Sequence, residues 1–335
     1  MDRKYPSFKA AAVQAAPVYL DIDGTVEKAC GFIDEAASHG AKLVAFPEGY
    51  IPGYPWWIWM GDPCVYGQKY YERLYKNAVE IPGPAVSRLA ASARKNEVYV
   101  CISGTEKEGG SLYLTQMWFD PRGNFMGKHR KLKPSSSERI VWGEGDGSMM
   151  PVFDTEIGRL GGLMCWEHIV PLNAAAMNSL NEQVLVSSWP SFLPDENALM
   201  AAIPCETLAR YYAIATQTFC IMVSQIYTQE MMDTIAENDF QRSFMKVGSG
   251  HTRIFGPNGL SIGDELAPDE EGIAYADLDL EQLIGCKYLA DPAGQYSNPG
   301  VLSLNFNQGP LPVTRKVGKP EDMSISFEDL QAASK

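Results

Sequence analysis

An apolar run that stops on a cysteine constrains this chain more than any other feature: Arg159-Leu-Gly-Gly-Leu-Met-Cys165-Trp-Glu-His168. A buried strand accommodates Leu and Met but not a Cys-Trp-Glu-His cluster, so the strand ends at Cys165. Pro171–Leu180 then reads as a helix with proline in its first turn. The cysteine falls at a strand-to-helix elbow on the carboxyl edge of a sheet, beside a helix N-terminus that favours a thiolate. Taken alone, a cysteine in such a run is an inert small hydrophobe. The other strand ends decide whether it is more.

Two of them carry unusual residues. Lys42–Phe46 is a short apolar run that stops at Pro47-Glu48-Gly49, which puts a carboxylate directly after a buried strand. Phe125–Leu132 returns from the Pro121-Arg-Gly-Asn124 turn, and the run from Gly127 to Pro134 carries five basic residues, Lys128, His129, Arg130, Lys131 and Lys133. A charge run of this kind usually marks a solvated edge strand. Between the two lies Ile51-Pro-Gly-Tyr-Pro-Trp-Trp-Ile-Trp59, too rich in proline and glycine for regular structure. Its Tyr54, Trp57 and Trp59 make an aromatic wall, either packed on the core or lining a pocket.

Further strands are expected at Phe8–Ala15, Val98–Gly104, Leu112–Asp120, Pro151–Asp154, Gln183–Ser188, Phe219–Gln225, Arg253–Phe255, Leu260–Ile262 and Gly272–Leu278. Helical patterns run over Asp23–Ser38, Val65–Ala78, Ala85–Arg94, Pro204–Thr218 and Thr228–Glu237. Hairpins mix with strand-then-helix units and no linker interrupts them. The expectation is an α/β protein, a mixed-sheet sandwich with helices on its outer faces, in one domain over residues 1–295. Residues 296–335 hold few periodic segments and read as an extended arm, suited to docking on another subunit.

Composition excludes several partner classes. The net charge is −13 over 335 residues, the wrong sign for nucleic acid or an anionic membrane surface. No apolar run has the length of a membrane span and the N-terminus lacks a signal-peptide core, so the protein is expected in the cytoplasm. Seven scattered cysteines without a Cys-x-x-Cys pair read as free thiols, and the four histidines lack zinc spacing, so no metal site is expected.

Glu48, Lys131 and Cys165 thus each stand at a strand terminus, and one sheet edge can collect them. A thiol, a base and a fixed ammonium suffice for nucleophilic acyl-type chemistry. The ordered set of segments around them resembles the nitrilase branch of the carbon–nitrogen hydrolase superfamily. The matching segments include Leu43-Val-Ala-Phe-Pro-Glu48, His129-Arg-Lys-Leu-Lys-Pro134, Glu138-Arg, Trp142-Gly-Glu-Gly-Asp-Gly147, Gly161-Gly-Leu-Met-Cys-Trp-Glu-His168, Glu182-Gln-Val and Ser188-Trp-Pro190. The likeness runs from about residue 8 to residue 308. Departures fall at Ser135–Ser137, Met164, Leu185 and Gln295, and none removes a catalytic group.

The resemblance implies a four-layer αββα sandwich, with Cys165 as nucleophile, Glu48 as general base, Lys131 as catalytic lysine and Glu138 as a second glutamate that positions it. It implies a small-molecule nitrile as substrate, hydrolysed through a thioimidate and an acyl-enzyme with no cofactor. It also implies homodimers that extend into larger oligomers or spirals, with the helix after Cys165 and Pro204–Thr218 at the interface. Tyr54, Trp57, Trp59, Trp166 and Trp189 are the candidate substrate-binding residues, the Trp166 N–H a candidate donor to developing charge, and His168 a supporting residue. The tryptophan wall points to an aromatic or arylaliphatic nitrile, because ring stacking gains nothing for cyanide. A cyanide dihydratase, or an amidase on the same scaffold, is the alternative. A non-catalytic filament-forming scaffold is the alternative of a different class.

Overall fold

Alternation along the strands sets the layers. The computed structural model describes residues 5–194, 200–315, 317–318 and 324–333. Eleven strands occur among them: β1 (Ser7–Gln14), β2 (Ala41–Ala45), β3 (Tyr99–Glu108), β4 (Ser111–Phe119), β5 (Phe125–Arg130), β6 (Val152–Thr155), β7 (Gly158–Met164), β8 (Val184–Trp189), β9 (Phe219–Ser224), β10 (Arg253–Phe255) and β11 (Gly272–Asp279). They form a six-stranded sheet, β11-β1-β2-β3-β4-β5, and a five-stranded sheet, β10-β9-β8-β7-β6. In each sheet three central strands run parallel, β1-β2-β3 and β7-β8-β9, and the flanking pairs are antiparallel.

The helices are α1 (Ile22–Ser38), α2 (Gln68–Lys76), α3 (Pro84–Asn96), α4 (Pro171–Ser179), α5 (Ala202–Thr216), α6 (Gln229–Ile235), α7 (Asp239–Phe244), α8 (Gln282–Ala290) and α9 (Phe327–Ala333). On β1, Ala10 and Ala12 point inward and join Leu43, Trp118, Leu160, Val186 and Ile221 in the core between the sheets. Ala11 and Val13 point outward, beneath Val26 and Ile33 of α1 and Leu89 of α3. Leu163, Leu185 and Met222 line the outer face of the second sheet, beneath Met177 of α4 and Ala209 and Tyr212 of α5. The period of two therefore yields the expected αββα order.

The structure corrects the sequence reading in several places. Trp56–Trp59 forms a 3-10 turn inside the stretch expected to be irregular, and a π-helical turn at Pro63–Gly67 starts the helix expected from Val65. Leu260–Ile262 makes only an isolated bridge, Phe255 to Ser261, not a strand. The arm is not wholly extended, since it ends in α9, and α8 precedes it. Residues 1–4, 195–199, 316, 319–323 and 334–335, which belong to the expected domain and arm, lie outside the described residues. No described helix is long and apolar enough to cross a membrane.

A polar stitch joins the two sheets behind the site. The Gln116 amide of β4 donates to the Ser188 hydroxyl at 2.8 Å and to the Val186 carbonyl at 3.2 Å, both on β8. Ser188 in turn donates to the Phe46 carbonyl at 3.0 Å. Gly162 of β7 lies against this stitch: a Cβ there would stand 2.3 Å from Gln116 Oε1. Gly162→Ala is therefore expected to cost about 1–3 kcal/mol by overpacking. A shift of the denaturant midpoint reads this, and an unchanged midpoint would refute it.

Candidate active site

Cys165 sits where β7 stops and a 3-10 turn, Cys165–Ile169, begins. Its φ of 49° is left-handed, a conformation that costs energy in a non-glycine residue and turns the side chain off the strand line. The following residue begins a turn whose first N–H groups have no partner of their own in the helix. Glu48 follows β2 and is held from three sides. Its N–H donates to the Trp189 carbonyl at 3.1 Å, its carbonyl accepts from Gln225 Nε2 at 2.6 Å, and the N–H of Gly49 donates to Ser103 Oγ at 3.0 Å. Lys131 follows β5 and is anchored through its N–H to the Leu114 carbonyl at 2.9 Å.

The side chains meet in a dry site. Lys131 Nζ donates to Glu48 Oε1 at 2.6 Å and to Glu138 at 2.8 Å (Oε2) and 3.1 Å (Oε1), and none of the three groups is more than 1% exposed. Glu138 accepts two further bonds, from the Ser135 N–H at 2.6 Å and from the Tyr54 hydroxyl at 2.7 Å. Glu48 Oε2 has no hydrogen-bond partner. It is the one carboxylate oxygen of the cluster free to take a proton, and Cys165 is buried and electrostatically coupled to both Glu48 and Lys131.

Charges in this site depart from their ordinary behaviour. Burial pushes the Glu48 carboxyl up, Lys131 pulls it down and Glu138 pushes it up again, which leaves it at about 8. Burial alone would strip the proton from Lys131, but Glu138 and Glu48 hold its ammonium well above the usual lysine range. Burial drives the Cys165 thiol well above the usual thiol range, with Glu48 adding to that and Lys131 opposing it. The resting thiol is therefore neutral and needs a base before it can attack.

The aromatic candidates separate. Tyr54 belongs to the acid cluster, and Trp59 Nε1 donates to the Tyr54 hydroxyl at 3.3 Å. Trp57 instead lines an apolar cleft of about 250 Å³ with Ile58, Cys64, Tyr71 and Ile140. Glu48, Lys131 and Cys165 are not among that cleft's lining. Trp166 is half-buried and packs against the apolar cluster to which Cys165 belongs. The Trp189 ring is fully buried, donates to Ser187 Oγ at 2.7 Å and stacks on His168 with centroids 5.3 Å apart. His168 Nδ1 lies 2.6 Å from the Cys165 carbonyl, and burial lowers its pKa to about 4, so the imidazole is neutral.

The basic run is not a solvated edge, although β5 does end its sheet. His129, Arg130 and Lys131 are buried, each against a carboxylate: Glu167 for His129, Glu106 of β3 for Arg130, and Glu48 with Glu138 for Lys131. Arg130 makes a two-point pair with Glu106 (2.7 and 2.8 Å) and stacks over the Tyr113 ring. Lys128 also pairs with Glu106, while Lys133 reaches Glu144 at the surface. Ser103 and Gln225 are site residues with no motif of their own in the sequence, while His129 and Glu167 lie inside the matching segments with no role assigned to them there. The last was in view, two residues after Cys165, and only its distant partners reveal what it holds.

Comparison with known proteins shows the family of the chain. A family model described as carbon-nitrogen hydrolase matches residues 9–288. A nitrilase of Bacillus sp. (strain OxB-1) is 56% identical over 331 residues, 99% of this chain and 97% of that protein. An aliphatic nitrilase of Rhodococcus rhodochrous is 45% identical over 304 residues, 90% of this chain and 83% of that protein. The crystal structure of a carbon–nitrogen hydrolase from Helicobacter pylori G27 superposes with a TM-score of 0.68 at 21% identity, covering 85% of this chain and 93% of that one. That last likeness speaks for the fold.

Proposed function

The chain belongs to the carbon–nitrogen hydrolase family, in its nitrilase branch, and from that premise we propose that it hydrolyses an aromatic or arylaliphatic nitrile to the carboxylic acid and ammonia. Glu48 Oε2 takes the thiol proton and Cys165 Sγ attacks the nitrile carbon. Negative charge moves to the nitrogen, where Lys131 Nζ and the Trp166 N–H stabilise it and Glu48 passes on the thiol proton, which leaves its carboxylate ionised again. Water, activated by Glu48, adds to the thioimidate, ammonia leaves, and a second water releases the acid from the acyl-enzyme. Glu138 holds Lys131 in place throughout.

One observation carries this reading. A lysine is clamped between two carboxylates, at 2.6 and 2.8 Å, and one carboxylate keeps an unpaired oxygen in a buried site coupled to a strained cysteine. The aryl preference rests on the aromatic turn: Trp59 touches the acid cluster through Tyr54, and Trp57, two residues before it in the same turn, lines an apolar cleft. The aliphatic nitrilase of R. rhodochrous, at 45% identity, favours a second reading in which the substrate is an aliphatic nitrile. Exposed Leu172 on α4 and Ile203, Tyr211 and Ile214 on α5 support an assembly in which copies of the chain pack through these helices.

Ammonia release from phenylacetonitrile, benzonitrile, butyronitrile, cyanide and the matching amides, assayed side by side, tests the proposal. The expected result is turnover of the aryl nitriles at least about tenfold faster than of the others, from stacking and apolar burial of the ring. Faster turnover of butyronitrile would replace the aryl reading with the aliphatic one. Release from amides or cyanide alone would overturn both.

A further inference from the structure

Glu167 lies outside the group of thiol, base and ammonium, yet it contacts the backbone beside both the thiol and the ammonium. Its Oε1 accepts from the N–H of Leu132, the residue directly after Lys131, at 2.8 Å. Its Oε2 accepts from the N–H of Met164, the residue directly before Cys165, at 2.8 Å. The two strand ends belong to different sheets, β5 to the six-stranded one and β7 to the five-stranded one. One buried carboxylate therefore ties together, across the sandwich, the backbone that carries the ammonium and the backbone that carries the thiol.

His129 completes the arrangement. Its Nε2 lies 2.7 Å from Glu167 Oε2 and its Nδ1 lies 2.6 Å from the Met149 carbonyl. Both neighbours can only accept, so the ring satisfies both only with a proton on each nitrogen. An imidazolium is then buried against a carboxylate. Burial opposes that charge, but Glu167 overrides it and holds the His129 pKa above its ordinary value. Burial likewise opposes the Glu167 charge, and His129 with the two backbone donors keeps its carboxyl below the usual range. A buried ion pair is weak evidence for stability, but it fixes geometry, because neither partner can leave without stranding a charge.

We propose that Glu167 and His129 are a positioning pair for the reaction: they fix the Cys165 turn relative to the Lys131 strand end, so that ammonium and thiol stay aligned as charge passes to the substrate nitrogen. This rests on Cys165 being the nucleophile of the function proposed above. Neither residue touches the reacting atoms. Their effect is expected on kcat, since misplacement by about 1 Å can cost on the order of 100-fold in rate. Glu167 also adds negative charge near Glu48, beyond that of Glu138 and against the positive charge of Lys131.

The test uses the full chain with Glu167→Gln, His129→Gln and His129→Leu. An amide has one oxygen, so Glu167→Gln cannot accept from Leu132 on one side and from Met164 and His129 on the other. Its kcat on the preferred nitrile is expected to fall about 100-fold, with KM within about threefold of the parent. The acid limb of its kcat/KM profile is expected to move to lower pH, because a negative charge near Glu48 is gone. His129→Gln, which keeps an N–H donor, should retain at least about tenfold more kcat than His129→Leu.

A second readout needs no nitrile. Alkylation of Cys165 by iodoacetamide, followed by peptide mass mapping, should slow about tenfold or more in Glu167→Gln. Failure of the parent to turn over any nitrile would sink the proposed function and leave the alkylation rates to judge the pair. An alkylation rate and a kcat both within about threefold of the parent would overturn the positioning role. If Glu167→Gln does not fold, equal kcat for His129→Gln and His129→Leu would overturn it instead.

Discussion

Replacing Glu48 by glutamine is expected to lower kcat about 10³-fold, the range lost when a general base is removed, with the protein still folded. The substitution keeps the side chain's shape and leaves Lys131 its pairing with Glu138, so the buried ammonium is not stranded. It removes the unpaired carboxylate oxygen of Glu48, the base coupled to the Cys165 thiol, whose own acidity burial has suppressed. Without the base, the neutral thiol has no acceptor for its proton. Adding Cys165→Ala to Glu48→Gln should cost little beyond the larger single loss, because residues acting as a unit are non-additive.

The pH profile gives the same claim a second reading. Glu48 must be ionised to accept the thiol proton, and burial with Glu138 places its pKa at about 8. The rate should therefore rise with pH through that region rather than near the usual carboxylate range. Glu138→Gln removes a like charge, so it should shift the acid limb to lower pH while weakening the hold on Lys131. An acid limb near pH 4 in the parent protein, or full activity in Glu48→Gln, would remove Glu48 from the mechanism.

What could be read from the sequence follows from how each residue is displayed. Glu48 and Cys165 stand out because each ends an apolar run, where a polar group contradicts the burial of its neighbours. Lys131 lies in a run that looks like a solvated edge. The counter-charges of that run are scattered: Glu106 and Glu108 sit on β3, two strands away, and reach Lys128 and Arg130 only through the pairing of β3 with β4 and β4 with β5, while Glu48 and Glu138 come to Lys131 from other segments. Glu167 is hidden for a similar reason: its partners lie 35 and 38 residues away. Helix α8 escaped because Gln282–Ala290 is apolar around its circumference and contains Gly285, which leaves no period to read. The stitch at Gln116 looks like any polar residue in a strand until the second sheet is laid over it.

The alkaline stability of the protein should depend on one buried acid remote from the proposed chemistry. Glu182, just before β8, is 1% exposed, accepts the Tyr212 hydroxyl at 2.6 Å and leaves Oε1 without a partner. Among the described residues, Tyr212 of α5 and Cys220 of β9 are the titratable groups coupled to it, and neither is a cation. Burial lifts its carboxyl to about 8, with the Tyr212 bond opposing. In the unfolded chain the proton leaves near the ordinary value of 4.5. Between those two values the native state holds a proton that the unfolded state has lost, so stability falls as pH rises through that window. At ~1.4 kcal/mol per pH unit the ceiling on this loss is ~5 kcal/mol. Glu182→Gln keeps an acceptor for Tyr212 and cannot ionise, so this part of the slope vanishes. Urea unfolding of both proteins from pH 5 to 8 should show the variant gaining ~2–4 kcal/mol on the parent across the range. Parallel curves would mean that Glu182 is solvated or paired in the native protein, contrary to the structure.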